Sequence, residues 1–234
     1  MRVVVAGGHG KIALRLERVL AARRDAVVGL IRNPDHERDL REVGAEPVVI
    51  DLETTDADTL ARHLHGADAV VFAAGAGPGS GAARKQTMDR DGAVLLADAA
   101  RSAAVRRYLM VSALGADDEP PEGTDPVFAA YLRAKREADE ELRWRPDLDL
   151  TILRPGGLTE EPGIGRVELA ERVDRYSGDR TIPRDDVAWV LAALLNEPDT
   201  AGLTLELRSG GVPISQAVAA AARGVNPPQI QHGP

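Results

Sequence analysis

Met1-Arg-Val-Val-Val-Ala-Gly-Gly-His-Gly-Lys-Ile-Ala-Leu14 opens the chain, and its reading decides the fold. The β-branched run 3–5 reads as a buried strand that stops at Gly7 and Gly8. Gly10 then opens a segment that mixes apolar Ile12, Leu14, Leu16, Val19 and Leu20 with charged Lys11, Arg15, Glu17 and Arg18, the pattern of an amphipathic helix. Strand, glycine turn and helix together match G-x-G-x-x-A at Gly8, Gly10 and Ala13. Each small residue has its own reason. One glycine permits the tight turn, the next lets backbone approach a pyrophosphate, and Ala13 lets the helix pack closely on the strand. Free N–H groups and the positive end of the helix dipole then receive phosphates. The stretch predicts a dinucleotide site built from Gly7, Gly8, His9, Gly10, Lys11 and Ile12.

Working outward, 26–31 reads as a second strand that ends at Arg32-Asn-Pro34. NAD-binding versions of the fingerprint place a carboxylate about 20 residues past the glycines to bond the ribose 2′-OH. Here Arg32 holds that place, and a guanidinium suits a 2′-phosphate that a carboxylate would repel. The cofactor expected is therefore NADP. A charged helix over 35–43 and a third strand over 46–50 follow, the strand leading into Asp51 and Leu52. At that strand end Asp51 either accepts from the adenine amino group or caps the next helix. A fourth strand, 67–72, runs into Ala73-Ala-Gly-Ala-Gly-Pro-Gly-Ser-Gly81. Its start, Ala73, Ala74 and Gly75, is expected to touch the cofactor, and the rest to form a mobile lip with too little side-chain surface to pack firmly.

Beyond it the pattern predicts a helix over 85–104, a fifth strand over 106–112 with Ser112 at its end, and an acidic loop over 117–123. A long helix over 127–144 carries Tyr131 and Lys135, and a sixth strand, 148–153, ends at Arg154-Pro-Gly-Gly-Leu158. Such βα alternation implies an α/β fold, a doubly wound parallel sheet with helices on both faces. The remainder reads as a loop (160–165), a strand (166–173), a helix opened by Pro183 (184–195), a short strand (203–207) and a last helix (214–222). A single domain over 1–225 is expected, with substrate-side elements from about 156 and a frayed tail over 226–234.

Composition removes other classes. A net charge of −8 disfavours nonspecific nucleic-acid binding, which needs a basic surface. With no cysteine there is neither thiol chemistry nor cysteine-ligated metal. The five histidines form no H-E-x-x-H pattern, and His63 and His65 read as surface residues, so no metal is expected. The N-terminal apolar run is too short for a signal peptide, and no run approaches the roughly 18 residues of a membrane span. The expectation is a cytoplasmic monomer or homodimer acting on a small molecule.

The chemistry-bearing set is Ser112, Tyr131 and Lys135. Tyr131 and Lys135 lie four apart on one helix face, with Ser112 at a strand end on the cofactor side. A phenol, with an ordinary pKa of about 10, needs tuning to exchange a proton near neutrality, and an adjacent ammonium together with the positively charged nicotinamide favours the phenolate. A serine hydroxyl can hold the substrate oxygen while its carbon gains or loses hydride.

With these motifs in place, the chain resembles the short-chain dehydrogenase/reductase superfamily, and most closely its atypical NAD(P)H-binding, NmrA-like or sugar-epimerase-like branch. The matching stretches are 3–13, 32–34, 89–92, 108–115, 131–135, 151–159 and 182–190, with Leu153-Arg-Pro-Gly-Gly-Leu-Thr159 the most specific. The resemblance implies a Rossmann fold with NADP in its crevice. It puts Ser112, Tyr131 and Lys135 on the family's catalytic positions, Lys135 doubling as ribose anchor, and Pro155, Gly156 and the adjoining Gly157 on the loop bordering the nicotinamide. Asp89 departs from the asparagine that related extended enzymes often carry behind the lysine. The function expected is an NADP-dependent oxidoreductase reducing a small carbonyl, quinone or flavin-type acceptor. The alternatives are an NADP(H)-sensing regulator without turnover and, third, a sugar-nucleotide epimerase.

Overall fold

The computed structural model describes residues 1–77, 79–174 and 180–224. The frayed tail expected over 226–234, and Pro78 within the glycine-rich stretch, lie outside the described residues.

β1 (Arg2–Ala6) is buried on both faces and sits between β2 (Ala26–Ile31) and β4 (Ala69–Phe72), parallel to each. Alternate side chains of β1 therefore enter different cores. Val3 and Val5 join Leu16, Leu20, Val187 and Leu191 on one face, while Val4 and Ala6 join Leu60, Leu64, Leu96 and Met110 on the other. A strand covered on both sides has no polar position to spare, which is why 3–6 is a continuous apolar run rather than an alternating one.

Outward on one side β2 pairs with β3 (Glu46–Val49). On the other side β4 pairs with β5 (Arg107–Val111), β5 with β6 (Asp149–Pro155), and β6 with β10 (Thr204–Ser209), all parallel. The sheet closes with β8 (Arg166–Ala170), antiparallel to β10, and β11 (Val212–Pro213). Its order is β11-β8-β10-β6-β5-β4-β1-β2-β3 among the described residues, the doubly wound arrangement expected. The C-terminal elements thus extend the main sheet. Two three-residue strands that the sequence reading missed, β7 (Gly157–Thr159) and β9 (Thr181–Pro183), form a separate parallel pair beside the end of β6. At three residues, with glycine or proline in each, they are too short to show a period.

The helices are α1 (Lys11–Ala22), α2 (Glu37–Glu42), α3 (Ala57–Leu64), α4 (Ala82–Arg84), α5 (Gly92–Ser102), α6 (Pro126–Arg143), α7 (Arg184–Leu194) and α8 (Ile214–Ala222). The single helix expected over 85–104 is instead a composite. Lys85–Asp91 is π-helical between α4 and α5, and its wider turn buries Lys85, Met88 and Asp89 together. No helix among the described residues is long and apolar enough to cross a membrane.

One residue of the opening helix is placed against expectation. The amphipathic reading groups Glu17 with the charged residues, but it is fully buried, its Oε1 lying 2.6 Å from where a Cβ on Gly29 would stand and 2.9 Å from one on Gly8. Two glycines on facing elements make the space that a carboxyl fills.

Candidate functional site

Because β1, β4, β5 and β6 are parallel, their carboxyl ends bring Gly7, Ala73, Ser112 and Pro155 to one edge, where α/β sheets bind ligands. Two adjoining cavities open there, of about 390 and 810 Å³, and Ala73–Gly77 is their shared wall.

The smaller cavity is lined by Gly7, His9 and Gly10 of the glycine turn, by Arg32 after β2, and by Asp51 and Leu52 after β3. Gly7 makes the tight turn at φ +80°, and a Cβ on it would lie 2.5 Å from Ala74 Cα. The turn role expected of Gly8 therefore belongs to Gly7. Gly8 is small because Gly29 and Glu17 lie behind it, and it lines neither cavity. Gly10 donates to Gly7 O at 2.7 Å and caps α1 with no side chain over the helix end and no acid in the first turn. Ala13 is fully buried against the sheet. A bare helix N-terminus behind a turn in which a Cβ would meet backbone fits a dinucleotide pyrophosphate. Lys11 lines neither cavity, and its ammonium reaches Glu160 at 2.6 Å. His9 bonds Asp39 at 2.8 Å and stacks on His36, ring centroids 3.5 Å apart.

Asp51 Oδ1 accepts from Glu53 N at 3.0 Å, so it holds its own turn and still lines the cavity; Asp56 caps α3 instead. Arg32 is exposed and meets Glu53 at 3.3 Å. Glu53 is the hub the sequence reading missed. It also accepts from Arg84 at 2.8 Å and from Thr87 at 2.7 Å, and the hydrogen bond from Arg84 first of all holds its carboxyl below the usual range. Arg84 shares the cavity wall with Arg32.

The larger cavity collects Ile12, Ser112, Tyr131, Lys135, Pro155, Gly156 and Gly157. Helix spacing puts Tyr131, Lys135 and Asp139 on one stripe of α6, the helix that Asp125 caps. Lys135 is buried, donates to Val111 O at 3.0 Å and pairs with Asp89 at 3.3 Å. Burial pushes its ammonium down, and Asp89 opposes this. The phenol of Tyr131 departs from expectation. Burial, then the carboxylates Asp89 and Asp139, push it well up, because the adjacent ammonium is already balanced by Asp89 and stands 5.9 Å from the ring centroid. The lowering expected rests on the ammonium and the nicotinamide's positive charge together, and the chain's own groups by themselves do not supply it.

Ser112 is placed differently from its expected partners. Its hydroxyl donates to Asp139 at 2.8 Å, and Asp139 also accepts from Arg154 Nε at 3.0 Å, with the guanidinium's Nη2 2.9 Å away in an ion pair. This Ser112–Asp139–Arg154 cluster is buried, and burial raises the Asp139 carboxyl while Arg154 restrains it. The i, i+4, i+8 spacing of Tyr131, Lys135 and Asp139 was the available signal for the aspartate. Gly156 has a packing reason beyond the cavity, since a Cβ there would stand 2.0 Å from Arg180 O; Gly157 N donates to the same oxygen at 2.9 Å.

The glycine-rich stretch is less bare of contacts than its composition suggests. Asp89 accepts from Ala76 N at 3.1 Å, Arg84 donates to Ala76 O at 3.3 Å, and Lys85 donates to Gly77 O at 3.0 Å. The anchors are side chains of the composite helix, which composition of the loop cannot reveal. Among the described residues, no cluster of histidine, aspartate or glutamate is suited to a metal.

Known proteins resemble this chain over nearly its whole length. A solved structure of a candidate NAD-dependent epimerase/dehydratase from Bacillus halodurans is 38% identical and superposes with a TM-score of 0.85, covering 94% of this chain and 99% of that one. The structure of the oxidoreductase ylbE from Lactococcus lactis is 26% identical, with a TM-score of 0.80 over 95% and 97% of the two chains. The Bacillus subtilis protein YhfK, named as an uncharacterized sugar epimerase, is 35% identical over 93% of this chain and 99% of its own length. The family model described as NAD(P)H-binding matches residues 7–198, from the glycine turn to beyond α7, and the chain belongs to that NAD(P)H-binding family.

Proposed function

We propose that the protein is an NADP(H)-dependent oxidoreductase that reduces a small carbonyl, quinone or flavin-type acceptor. One observation carries the reading: Tyr131 and Lys135 share a cavity whose wall, Ala73–Gly77, also bounds the cavity of the glycine turn. A bound nicotinamide supplies the hydride; the residues of this chain hold the reactants and move the proton. The glycine turn and the N-terminus of α1 hold the pyrophosphate, Arg32 and Arg84 face the 2′-phosphate, and Asp51 and Leu52 border the adenosine. Pro155, Gly156 and Gly157 border the nicotinamide end, with Lys135 as the ribose anchor.

A phenol is protonated at neutral pH already at its ordinary value, so Tyr131 is the group in this cavity placed to donate a proton to the reduced acceptor. Ser112 orients the acceptor oxygen once its hydroxyl turns from Asp139. The test is NADPH consumption against a panel of quinones, flavins, aldehydes and ketones, with NADH as comparison. Turnover with a panel member, preferring NADPH, is expected; no consumption with any of them overturns the reading.

The names of two relatives favour a second reading, epimerisation of a sugar nucleotide with the cofactor retained. Conversion of a nucleotide sugar to its epimer without net NADPH loss would select it.

A further inference from the structure

Lys85 is a largely buried side chain on the cavity wall, with no counterion among the described residues. Its side chain is held inside by the π-helical turn and is 9% exposed, and among the described residues it has no carboxylate within ion-pair reach. Its one hydrogen bond goes to Gly77 O, a neutral acceptor. Burying an unpaired cation is costly, so the site is incomplete without a negative partner. The neighbouring Arg84 faces the nucleotide cavity and is balanced by Glu53, whereas Lys85 lines only the larger cavity. The missing charge is therefore on the acceptor side and does not belong to the cofactor phosphates.

What surrounds Lys85 describes the rest of the ligand. Its ammonium lies 5.5 Å from the Tyr131 ring centroid, and Phe128 stacks on Tyr131 at 5.9 Å with the planes 27° apart. Phe128 and Leu158 line the same cavity and are exposed, apolar surface left open at a site rather than packed. Arg180 adds a further cation to a wall whose Lys135 and Arg184 are paired with Asp89 and Glu160. The geometry points to an acceptor that is a planar, apolar organic carboxylate, its flat body on Phe128 and Tyr131 and its carboxylate on Lys85. Lys85 is then the residue that selects anionic over neutral acceptors. In calling the ligand an acceptor the assignment rests on the oxidoreductase reading; the binding chemistry does not.

The test is calorimetric titration of 2-naphthoate and of its neutral analogue 2-naphthamide into the protein saturated with NADP⁺, where no turnover occurs. Wild type should bind the carboxylate at least about tenfold tighter, the least expected of a charge-assisted hydrogen bond to a buried cation. Lys85→Met should reduce that ratio to within about twofold while naphthamide affinity holds, and Lys85→Arg should keep it, since the charge remains. If Lys85 served only to brace Gly77, its loss would weaken both probes alike. Equal affinities in the wild type, no saturable binding of either probe, or an unaltered preference in Lys85→Met would overturn the assignment. Tight naphthoate binding in a protein that consumes NADPH with no member of the acceptor panel would sink the oxidoreductase reading and leave this site standing.

Discussion

The two halves of the crevice are built from different materials. The nucleotide half opens on backbone: a glycine at φ +80°, a bare helix N-terminus, and the small residues of Ala73–Gly77 after β4. The acceptor half is made of buried charge, with Lys135 on Asp89, Arg154 on Asp139, and Lys85 with no counterion among the described residues. Backbone donors have fixed positions and need no partner to stay neutral. Buried ionic groups hold their places only as sets, so the two halves should fail in different ways when one member is removed. Binding in the first half should weaken by degrees, while the second should lose structure or chemistry outright.

The largest effect expected is in the charged half. Asp139→Ala would leave Arg154 buried beside only the more exposed Asp117 at 3.3 Å and free the Ser112 hydroxyl. Breaking a buried pair by removing one partner costs roughly 3–5 kcal/mol. Urea unfolding should show a loss of that order, and a loss below about 1 kcal/mol would mean the cluster is solvated and the contrast overstated. Next comes Tyr131→Phe, which keeps the ring and removes the proton. Turnover should drop by about 100-fold or more with NADPH affinity little changed, the usual worth of a positioned donor. Full activity in single-turnover measurements would mean that the proton comes from water.

The contrast also explains what the sequence revealed. The nucleotide half could be read because its signals are local: Val3–Val5, the glycines and Ala13 fall within one βα unit, and Arg32 closes the next strand. The parallel sheet followed from the same alternation; its strand order and its antiparallel C-terminal edge did not. The acceptor half depends on pairs far apart in the chain, Asp89 with Lys135 and Asp139 with Arg154, and on a π turn whose residues fit an ordinary helix equally well. For the same reason the tyrosine could be placed but its protonation state could not. Spacing alone put the ammonium of Lys135 beside the phenol; it did not show that Asp89 already balances that charge.

A smaller effect tests the backbone half through one of its few charged side chains. Arg32 is exposed and its bond to Glu53 is long, so it can turn to a 2′-phosphate at little cost. Arg32→Ala should remove about 1.5–3 kcal/mol of preference for NADPH over NADH, most of it if Arg84 stays on Glu53. Titration of both cofactors decides this. A variant that keeps the full preference would assign the phosphate to Arg84 or to the His9–His36 stack instead.

The smallest effect concerns the one buried charge-capable group under the backbone half. Glu17 is fully buried behind Gly8, and neither carboxyl oxygen has a hydrogen-bond partner among the described residues. Burial pushes its carboxyl from 4.5 to about 9. The folded protein therefore keeps this proton while the unfolded chain gives it up above pH 4.5. The unfolded state binds fewer protons through that window, so stability is greatest below it and falls as pH rises toward 9. Glu17→Gln cannot ionise. The variant carries its own cost for a buried amide, but that cost does not depend on pH. The slope therefore isolates the carboxyl. Relative to wild type, the variant should gain about 1–2 kcal/mol between pH 5 and pH 8, less than the full linkage because a buried carboxylate draws in water. Denaturation midpoints across that range read it directly. Parallel pH profiles would mean that water or a counterion already reaches the carboxyl, and that the glycine turn is not sealed from beneath.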